Sequence, residues 1–131
     1  MTMFLDTNVL VYAQGKDAKG ERARELVIEG GVISVQVLNE FTNVMNRKFR
    51  VSWNEIVEAL QDVKSAVDNV LPIDMATHTK AVQLAGEHGF NFYDALIISS
   101  ALQAGCTQLL SEDLQAGRRI NGLTIVNPFL R

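Results

Sequence analysis

Cysteine and histidine are scarce in this 131-residue sequence, which contains one cysteine and two histidines. The single cysteine, Cys106, excludes an intramolecular disulfide, and we therefore expect a reducing, cytoplasmic setting. The histidines, His78 and His88, fall on one expected helical segment without the spacing of metal ligands, so we expect surface or helix-end positions for both. The composition therefore indicates neither a disulfide scaffold nor a histidine metal site.

Long apolar runs are missing as well, because charge, Asn or Gly interrupts each of them. A membrane span needs roughly 20 apolar residues, so we expect none. The first residues include an acid and no basic segment, and we expect no secretory signal. With 47% hydrophobic residues the chain can bury a core, and we predict one domain over residues 1–131.

Positive charge is limited, and the net charge is −3. A domain that binds nucleic acid only by neutralising phosphates is normally basic, so the composition argues mildly against a simple nucleic-acid binder. It does not exclude an enzyme that meets phosphates through bound metal ions, because a cation held by carboxylates reverses the local field.

Short β-rich runs alternate with longer segments of helical period, which indicates an α/β fold with a central five-stranded parallel sheet flanked by helices. We expect the strand order 3-2-1-4-5, which makes the first and fourth strands neighbours. The expected strands are Met3 to Leu5, Val32 to Val35, Val70 to Ile73, Gln108 to Ser111 and Leu123 to Val126.

Helices are predicted between these strands from apolar spacing and from capping residues. Ser52 begins a capping-box pattern, and Asp74 is a further candidate helix cap. The predicted helices are Glu21 to Glu29, Val37 to Phe49, one that opens at Ser52, one from Asp74 to about Gly89, and Tyr93 to Ala104. The last of these is apolar on every side, and we expect it to be central.

Four carboxylates lie next to apolar sequence, and each has an ordinary explanation when it is taken alone. A turn or helix cap would account for Asp6, and an Asx turn for Asp113. Glu40 could be a surface residue at the shoulder of an apolar helix stripe, and Asp94 could favour its helix dipole. None of the four is decisive by itself.

Their joint placement says more, because Asp6 and Asp113 follow parallel strands while Glu40 and Asp94 begin helices. Such positions can face one edge of a doubly wound sheet, where ligands bind. Converging carboxylates need neutralisation, and oxygen ligands without His or Cys suit Mg²⁺ or Mn²⁺. The natural role of that site is phosphate chemistry. Neighbouring polar residues that could orient the acids are Thr7, Asn8 and Ser111.

Five segments of the chain, taken in order, resemble a PIN-domain ribonuclease, and more narrowly a VapC-type toxin of a bacterial toxin–antitoxin pair. Each segment alone is a weak motif, but their order and secondary-structure context make the set fairly specific. The segments are residues 4–10 (FLDTNVL), 37–41 (VLNEF), 93–97 (YDALI), 110–115 (LSEDLQ) with Gly117, and 123–129 (LTIVNPF).

The resemblance implies a single PIN-like domain and a Mg²⁺- or Mn²⁺-dependent endoribonuclease that cuts RNA by water attack. The catalytic and metal-holding residues that it implies are Asp6, Glu40, Asp94 and Asp113. It also implies a homodimer and a cognate antitoxin that covers the acidic site.

Basic and aromatic residues suggest further roles. Arg47, Lys48, Arg118 and Arg119 could steer the RNA backbone, although solvated surface charge is an equally good explanation. Aromatic residues can stack on single-stranded RNA, but the positions of most of them also suit core packing, which we prefer. These aromatic residues are Phe41, Phe49, Trp53 and Phe92.

Two other functions stay open. A phosphatase or phosphotransfer enzyme could use Asp6 as its nucleophile, but haloacid-dehalogenase-like enzymes have a second Asp two positions on, where this chain has Asn8. No Gly-rich phosphate loop is present either. A non-catalytic module of the same fold could use its acids to bind a basic peptide, and it would need no metal.

Overall fold

Six short strands form one sheet in the computed structural model, which describes residues 2–130. The sheet order is β3-β2-β1-β4-β6-β5; the first five strands of that order are parallel, and β5 pairs antiparallel with β6. The strands are β1 (Met3–Leu5), β2 (Val32–Ser34), β3 (Asn69–Leu71), β4 (Gln108–Leu110), β5 (Arg119–Ile120) and β6 (Leu123–Val126).

The predicted fold class and the predicted order of the five parallel strands are confirmed, but the prediction misses β5. Two residues are too short for an alternating apolar pattern. The signal that could have revealed this strand is Asn121-Gly122, since both residues have positive φ, as tight hairpin turns require. The predicted domain, residues 1–131, includes two terminal residues that lie outside the described part of the chain.

Six helices connect the strands within residues 2–130, and polar side chains cap most of them. Ser52 Oγ accepts a hydrogen bond from Glu55 N, and Asp74 forms a reciprocal capping box with Thr77, as the sequence predicts. The helices are α1 (Thr7–Tyr12), α2 (Ala18–Glu29), α3 (Val35–Arg47), α4 (Trp53–Ala66), α5 (Met75–His88) and α6 (Phe92–Gln103).

The boundaries near the site differ from the prediction in three places. Helix α1 is absent from the predicted elements, because its run of buried residues has no amphipathic pattern that would distinguish it from the preceding strand. Val35, expected at the end of a strand, begins α3 instead, and β2 ends at Ser34. Ser111, also expected in a strand, follows β4, which ends at Leu110. Strands β2 and β4 are thus one residue shorter than predicted, and α1 and α3 start directly at the sheet edge.

The core lies around the sheet and around α6. Seven consecutive residues of α6, from Ala95 to Ala101, are buried, which confirms that this helix is central. Helix α6 packs against α5, α3 and β2, while α1 packs against α2 and α3. No helix within residues 2–130 has the length and apolar character that a bilayer crossing requires.

The sheet register sets the position of the first acid. Phe4 pairs with Val32, and Leu5 pairs with Leu110. One residue beyond Leu5, Asp6 therefore stands between Ser34 of β2 and Ser111 after β4. Strands β1 and β4 are neighbours at the point where the strand order reverses, which is where ligands bind in open parallel sheets.

Candidate functional site

Asp6 is held in place by the end of β1 and the start of α1. It is the N-cap of α1, and its Oδ1 accepts a hydrogen bond of 2.7 Å from Thr7 N. Its Oδ2 accepts a bond of 2.6 Å from Ser111 Oγ. Only 6% of Asp6 is exposed, so a buried carboxylate is fixed at the carboxyl edge of the sheet.

Ser111 connects Asp6 to the segment that contains Asp113. Its fully buried hydroxyl donates to Asp6 and accepts hydrogen bonds of 3.2 Å from the backbone N–H groups of Asp113 and Leu114. Asn8 adds a second connection, because its Nδ2 lies 3.2 Å from Asp113 Oδ2 and its Oδ1 accepts from Glu112 N. The first and fourth acidic segments are therefore joined by uncharged polar side chains.

Glu40 lies on α3 and is tied to the same network. Thr7 Oγ1 donates a bond of 2.8 Å to Glu40 Oε1, and Gln36 Nε2 donates one of 3.0 Å to Oε2. The three polar residues chosen from the sequence, Thr7, Asn8 and Ser111, thus each hydrogen-bond a different member of the acidic set: Glu40, Asp113 and Asp6 respectively.

Asp94 lies in the first turn of α6 and is partly buried. Its pKa is raised by burial and, to a smaller extent, by the negative charges of Glu40 and Asp113. The acid of the third segment therefore belongs electrostatically to the same group, although it comes from a separate helix.

The pKa of Asp6 is raised to about 6, from an ordinary value of 3.8. Burial is the largest cause, and repulsion from Glu40 and Asp113 adds to it, while the hydrogen bonds from Ser111 and Thr7 oppose the rise. The fold thus keeps an acid where its ionised form is disfavoured.

No basic side chain compensates these acids within residues 2–130. The ion pairs of the described chain are Lys19 with Glu112, Arg22 with Glu25, and Glu87 with His88. None of them includes Asp6, Glu40, Asp94 or Asp113. Asp6 is buried, Glu40 and Asp94 are partly buried, and Asp113 is exposed. A buried carboxylate without a positive partner is costly unless a proton or a cation neutralises it.

The donor set fits a hard divalent cation, since all four acidic side chains offer oxygen. Across the described residues, no three acidic, His or Cys side chains are close enough together to form a finished metal site. Ser34 Oγ is fully buried and lacks a hydrogen-bond partner there, and the register places Ser34 beside Asp6. An orphaned hydroxyl at this level is the kind of group that a bound water satisfies.

An open depression of about 360 Å³ borders two of the four acids, Glu40 and Asp113. Its polar walls come from α1, α3 and the segment after β4, so Glu40 and Asp113 line one space. The lining residues are Thr7, Asn8, Val11, Tyr12, Glu40, Asn43, Val44, Lys48 and Asp113. We call this space the acidic depression.

The basic residues chosen from the sequence occupy different surroundings. Lys48 lines the acidic depression. Arg118 donates a hydrogen bond of 2.8 Å to the backbone carbonyl of His88 and lies 4.2 Å from the centroid of the Phe90 ring. Arg47 and Arg119 are exposed and do not line the depression.

Sequence reasoning misses a cluster that braces the fourth acidic segment. Glu112 accepts hydrogen bonds of 2.7 Å from Lys19 Nζ and 2.5 Å from Tyr12 Oη. Lys19 Nζ also lies 4.6 Å from the Tyr12 ring centroid, and Tyr12 packs edge-on against Phe129. Because 93 residues separate Lys19 from Glu112, no local pattern announces this contact.

Residues 3–120 match the family described as PIN domain. The chain belongs to the PIN-domain family. This confirms the resemblance drawn from the five sequence segments. No curated protein matches this PIN domain significantly.

Solved structures similar to this PIN domain include toxins and toxin–antitoxin complexes. The VapC20 toxin of Mycobacterium tuberculosis, described as cleaving the sarcin–ricin loop, has a TM-score of 0.70 at 20% identity over 86% of this chain and 90% of its own. A Klebsiella pneumoniae toxin–antitoxin complex gives 0.73 at 20% identity over 98% of both chains. A DNA-bound VapBC complex from Salmonella typhimurium gives 0.70 at 20% identity over 95% of this chain and 96% of that chain. At this identity, the likeness establishes the fold.

Proposed function

We propose that this PIN domain is a metal-dependent endoribonuclease that hydrolyses RNA phosphodiester bonds, and that it is the toxin of a toxin–antitoxin pair. The observation that supports this most strongly is the uncompensated group of acids. The charges of Glu40 and Asp113 help to raise the pKa values of both Asp6 and Asp94, and within residues 2–130 none of the four acids has an ion-pair partner.

The four acids are proposed as the catalytic and metal-holding residues. Asp6 is the fixed member, because hydrogen bonds restrain both of its carboxylate oxygens. Thr7 and Asn8 position Glu40 and Asp113 from the first turn of α1. When bound, Mg²⁺ or Mn²⁺ would polarise a phosphoryl oxygen and lower the pKa of a bound water.

The proposed partners follow from the structural neighbours, several of which are VapBC complexes. We expect a protein antitoxin that covers the acidic depression and thereby blocks access of RNA. We also expect a homodimer that acts in the cytoplasm. The RNA that this PIN domain cuts is one whose chain can reach the depression.

The phosphotransfer alternative finds less support in the geometry. Asp6 would have to attack a phosphoryl group, yet it is 6% exposed and both its oxygens accept hydrogen bonds within the protein. A non-catalytic module would leave the acids available for a basic peptide, and the following experiment separates that case from a nuclease.

The test is cleavage of a structured RNA by purified protein that is free of any antitoxin. We expect cleavage with Mg²⁺ or Mn²⁺ and none with EDTA. The Asp6→Asn variant should lose at least ~100-fold in rate, because metal catalysis supplies several kcal/mol of transition-state stabilisation. Glu58→Gln, at an exposed residue of α4, is the matched control and should retain the wild-type rate.

Cleavage that survives in EDTA or in Asp6→Asn would rule out the proposed mechanism. Absence of cleavage and of Mn²⁺ binding in the wild type would favour the non-catalytic module instead. Calorimetric titration with Mn²⁺ supplies that second measurement independently of activity.

The toxin proposal needs an observation in cells. Induction of the wild-type chain alone should slow the growth of its host, whereas induction of Asp6→Asn should not. Unchanged growth, together with no small protein that co-purifies, would contradict the proposed pairing with an antitoxin while leaving the nuclease proposal standing.

A further inference from the structure

A second cavity, of about 430 Å³, adjoins the acidic depression. The two spaces share Val11, Tyr12 and Lys48 as lining residues, so they form one trough along α1 and the end of α3. The second cavity is lined by Val11, Tyr12, Gln14, Gly15, Asp17, Met45, Lys48 and Phe49. We call it the Phe49 cavity.

Phe49 contradicts the expectation that the aromatic residues belong to the core. Phe41 is fully buried, but Phe49 is 52% exposed and Trp53 is 62% exposed. The backbone around Phe49 is held by hydrogen bonds from Lys48 N and Phe49 N to Val44 O and from Val51 N to Met45 O. The ring is therefore presented from a fixed turn at the end of α3, at the edge of the trough.

The geometry points to a subsite in the Phe49 cavity for one unpaired nucleotide of the RNA, next to the position where the chain is cut. This inference rests on the proposed nuclease function, because it takes the acidic depression as the place of the scissile phosphate.

Three features favour a nucleotide as the occupant. The cavity is continuous with the acidic depression, so a chain held at the acids runs into it. A half-exposed phenyl ring offers a stacking face, which every base can use. Lys48 Nζ lies over the Phe49 ring, 5.5 Å from its centroid, so a positive charge suited to a phosphate stands at the proposed stacking site.

Stacking also suits the charge of this protein. A chain with a net charge of −3 cannot gain much affinity from general attraction to phosphates. Base stacking provides binding energy that needs no positive field and is available only where bases are unpaired. The trough therefore favours single-stranded segments or loops over continuous duplex.

Binding is measured in the Asp6→Asn background, so that cleavage cannot interfere. The probe is a short single-stranded oligoribonucleotide with a fluorescent purine analogue, titrated with the protein in Mg²⁺. We expect Phe49→Ala to weaken binding roughly 5- to 100-fold, which corresponds to the loss of one stacked base, and to abolish the fluorescence quench. Phe49→Tyr should restore both, because it keeps the ring.

Trp53→Ala is the matched control, since it removes an exposed aromatic residue that lines neither part of the trough. It should bind the oligoribonucleotide as tightly as the parent. A duplex of the same sequence should bind weakly and equally to the Phe49→Ala variant and its parent.

Three outcomes would overturn the subsite. Unchanged single-strand binding in Phe49→Ala is the first, and an equal loss for duplex and single strand is the second. The third is unchanged RNA binding with weakened capture of a co-expressed antitoxin, which would make the cavity a protein-docking surface. If binding depends on Phe49 but the wild type cuts no RNA with Mg²⁺ or Mn²⁺, the proposed function fails, and with it the placement of the subsite next to a cut, while binding of an unpaired nucleotide in the Phe49 cavity stands.

Discussion

The buried carboxylate of Asp6 destabilises the fold when it is ionised, and the same burial favours the binding of a cation. Its ionised form is opposed by burial and by the charges of Glu40 and Asp113. The same environment makes a cation favourable at this place, because a positive charge would relieve both penalties at once. A carboxylate whose ionised form destabilises the metal-free protein is thus well suited to bind a metal.

The pH dependence of stability should reveal this strain in EDTA. The folded-state pKa of Asp6 is about 6 and its ordinary value is 3.8, so the native protein binds more protons than the unfolded chain between these values. The free energy of unfolding should therefore fall as the pH rises from ~4 to ~6, by about 3 kcal/mol at most, and stay lower above that range.

Asp6→Asn should remove this dependence and stabilise the metal-free protein at pH 7 by on the order of 1–3 kcal/mol. Urea unfolding at several pH values measures both quantities. Asp62→Asn, at an exposed residue of α4, is the control and should keep the wild-type pH profile. A destabilised Asp6→Asn protein with an unchanged profile would show that Asp6 ionises without strain.

At the scale of elements, the segment after β4 is braced on two sides. Ser111 and Asn8 hold it to the end of β1 and the start of α1. Glu112 holds it to α2 through Lys19 and to α1 through Tyr12. Asp113 is exposed, so these contacts of its neighbours restrict a residue that has little packing of its own.

Glu112→Gln tests the second brace. The pKa of Tyr12 is raised to about 12, and the largest cause is the hydrogen bond that its hydroxyl donates to Glu112. Burial is the second cause, and the negative charge of Glu112 is the third. Removing that charge should lower the pKa of Tyr12 toward its ordinary value of 10.0. Ultraviolet titration in a Tyr93→Phe background isolates this tyrosine. An unchanged titration would mean that the Glu112 contact does not form in solution.

The predictability of the elements depended on how local their signals are. Ser52 and Asp74 mark the starts of α4 and α5 because capping is decided within four residues. Asp6 is a candidate cap for α1, but the helix that follows it is buried rather than amphipathic, so apolar spacing does not distinguish it from the preceding strand. Burial of this kind is set by tertiary packing, which the local sequence does not reveal.

At the scale of the whole molecule, the sheet topology could be predicted from the sequence, whereas the long-range side-chain contacts around the candidate site could not. The order of the parallel strands follows from alternating elements, and it places Asp6 near Asp113. The unpaired hydroxyl of Ser34 and the contact between Lys19 and Glu112 depend on register and side-chain conformation across distant segments. One sequence does not specify those.

The charge distribution of the whole molecule predicts a weak response to salt. If Lys48 contacts one phosphate, Lys48→Gln should reduce the slope of log K against log salt for single-stranded RNA by about 0.7. Arg118→Gln should leave the slope unchanged, because Arg118 already binds the carbonyl of His88 and packs against Phe90. Fluorescence anisotropy over a range of salt concentrations measures both slopes, and the reverse pattern would place the RNA backbone at Arg118 rather than at Lys48.

The pairing of β1 with β4 also determines when the acidic site can form during synthesis of the chain. Asp6 leaves the ribosome early, but Ser111, which holds its carboxylate, follows 105 residues later. At about 5–20 residues per second, this interval lasts several seconds. The four acids cannot be assembled in that time, so the proposed nuclease activity should be absent until the fourth acidic segment emerges. An antitoxin that recognises the assembled acidic depression could therefore begin to bind only when the proposed activity begins.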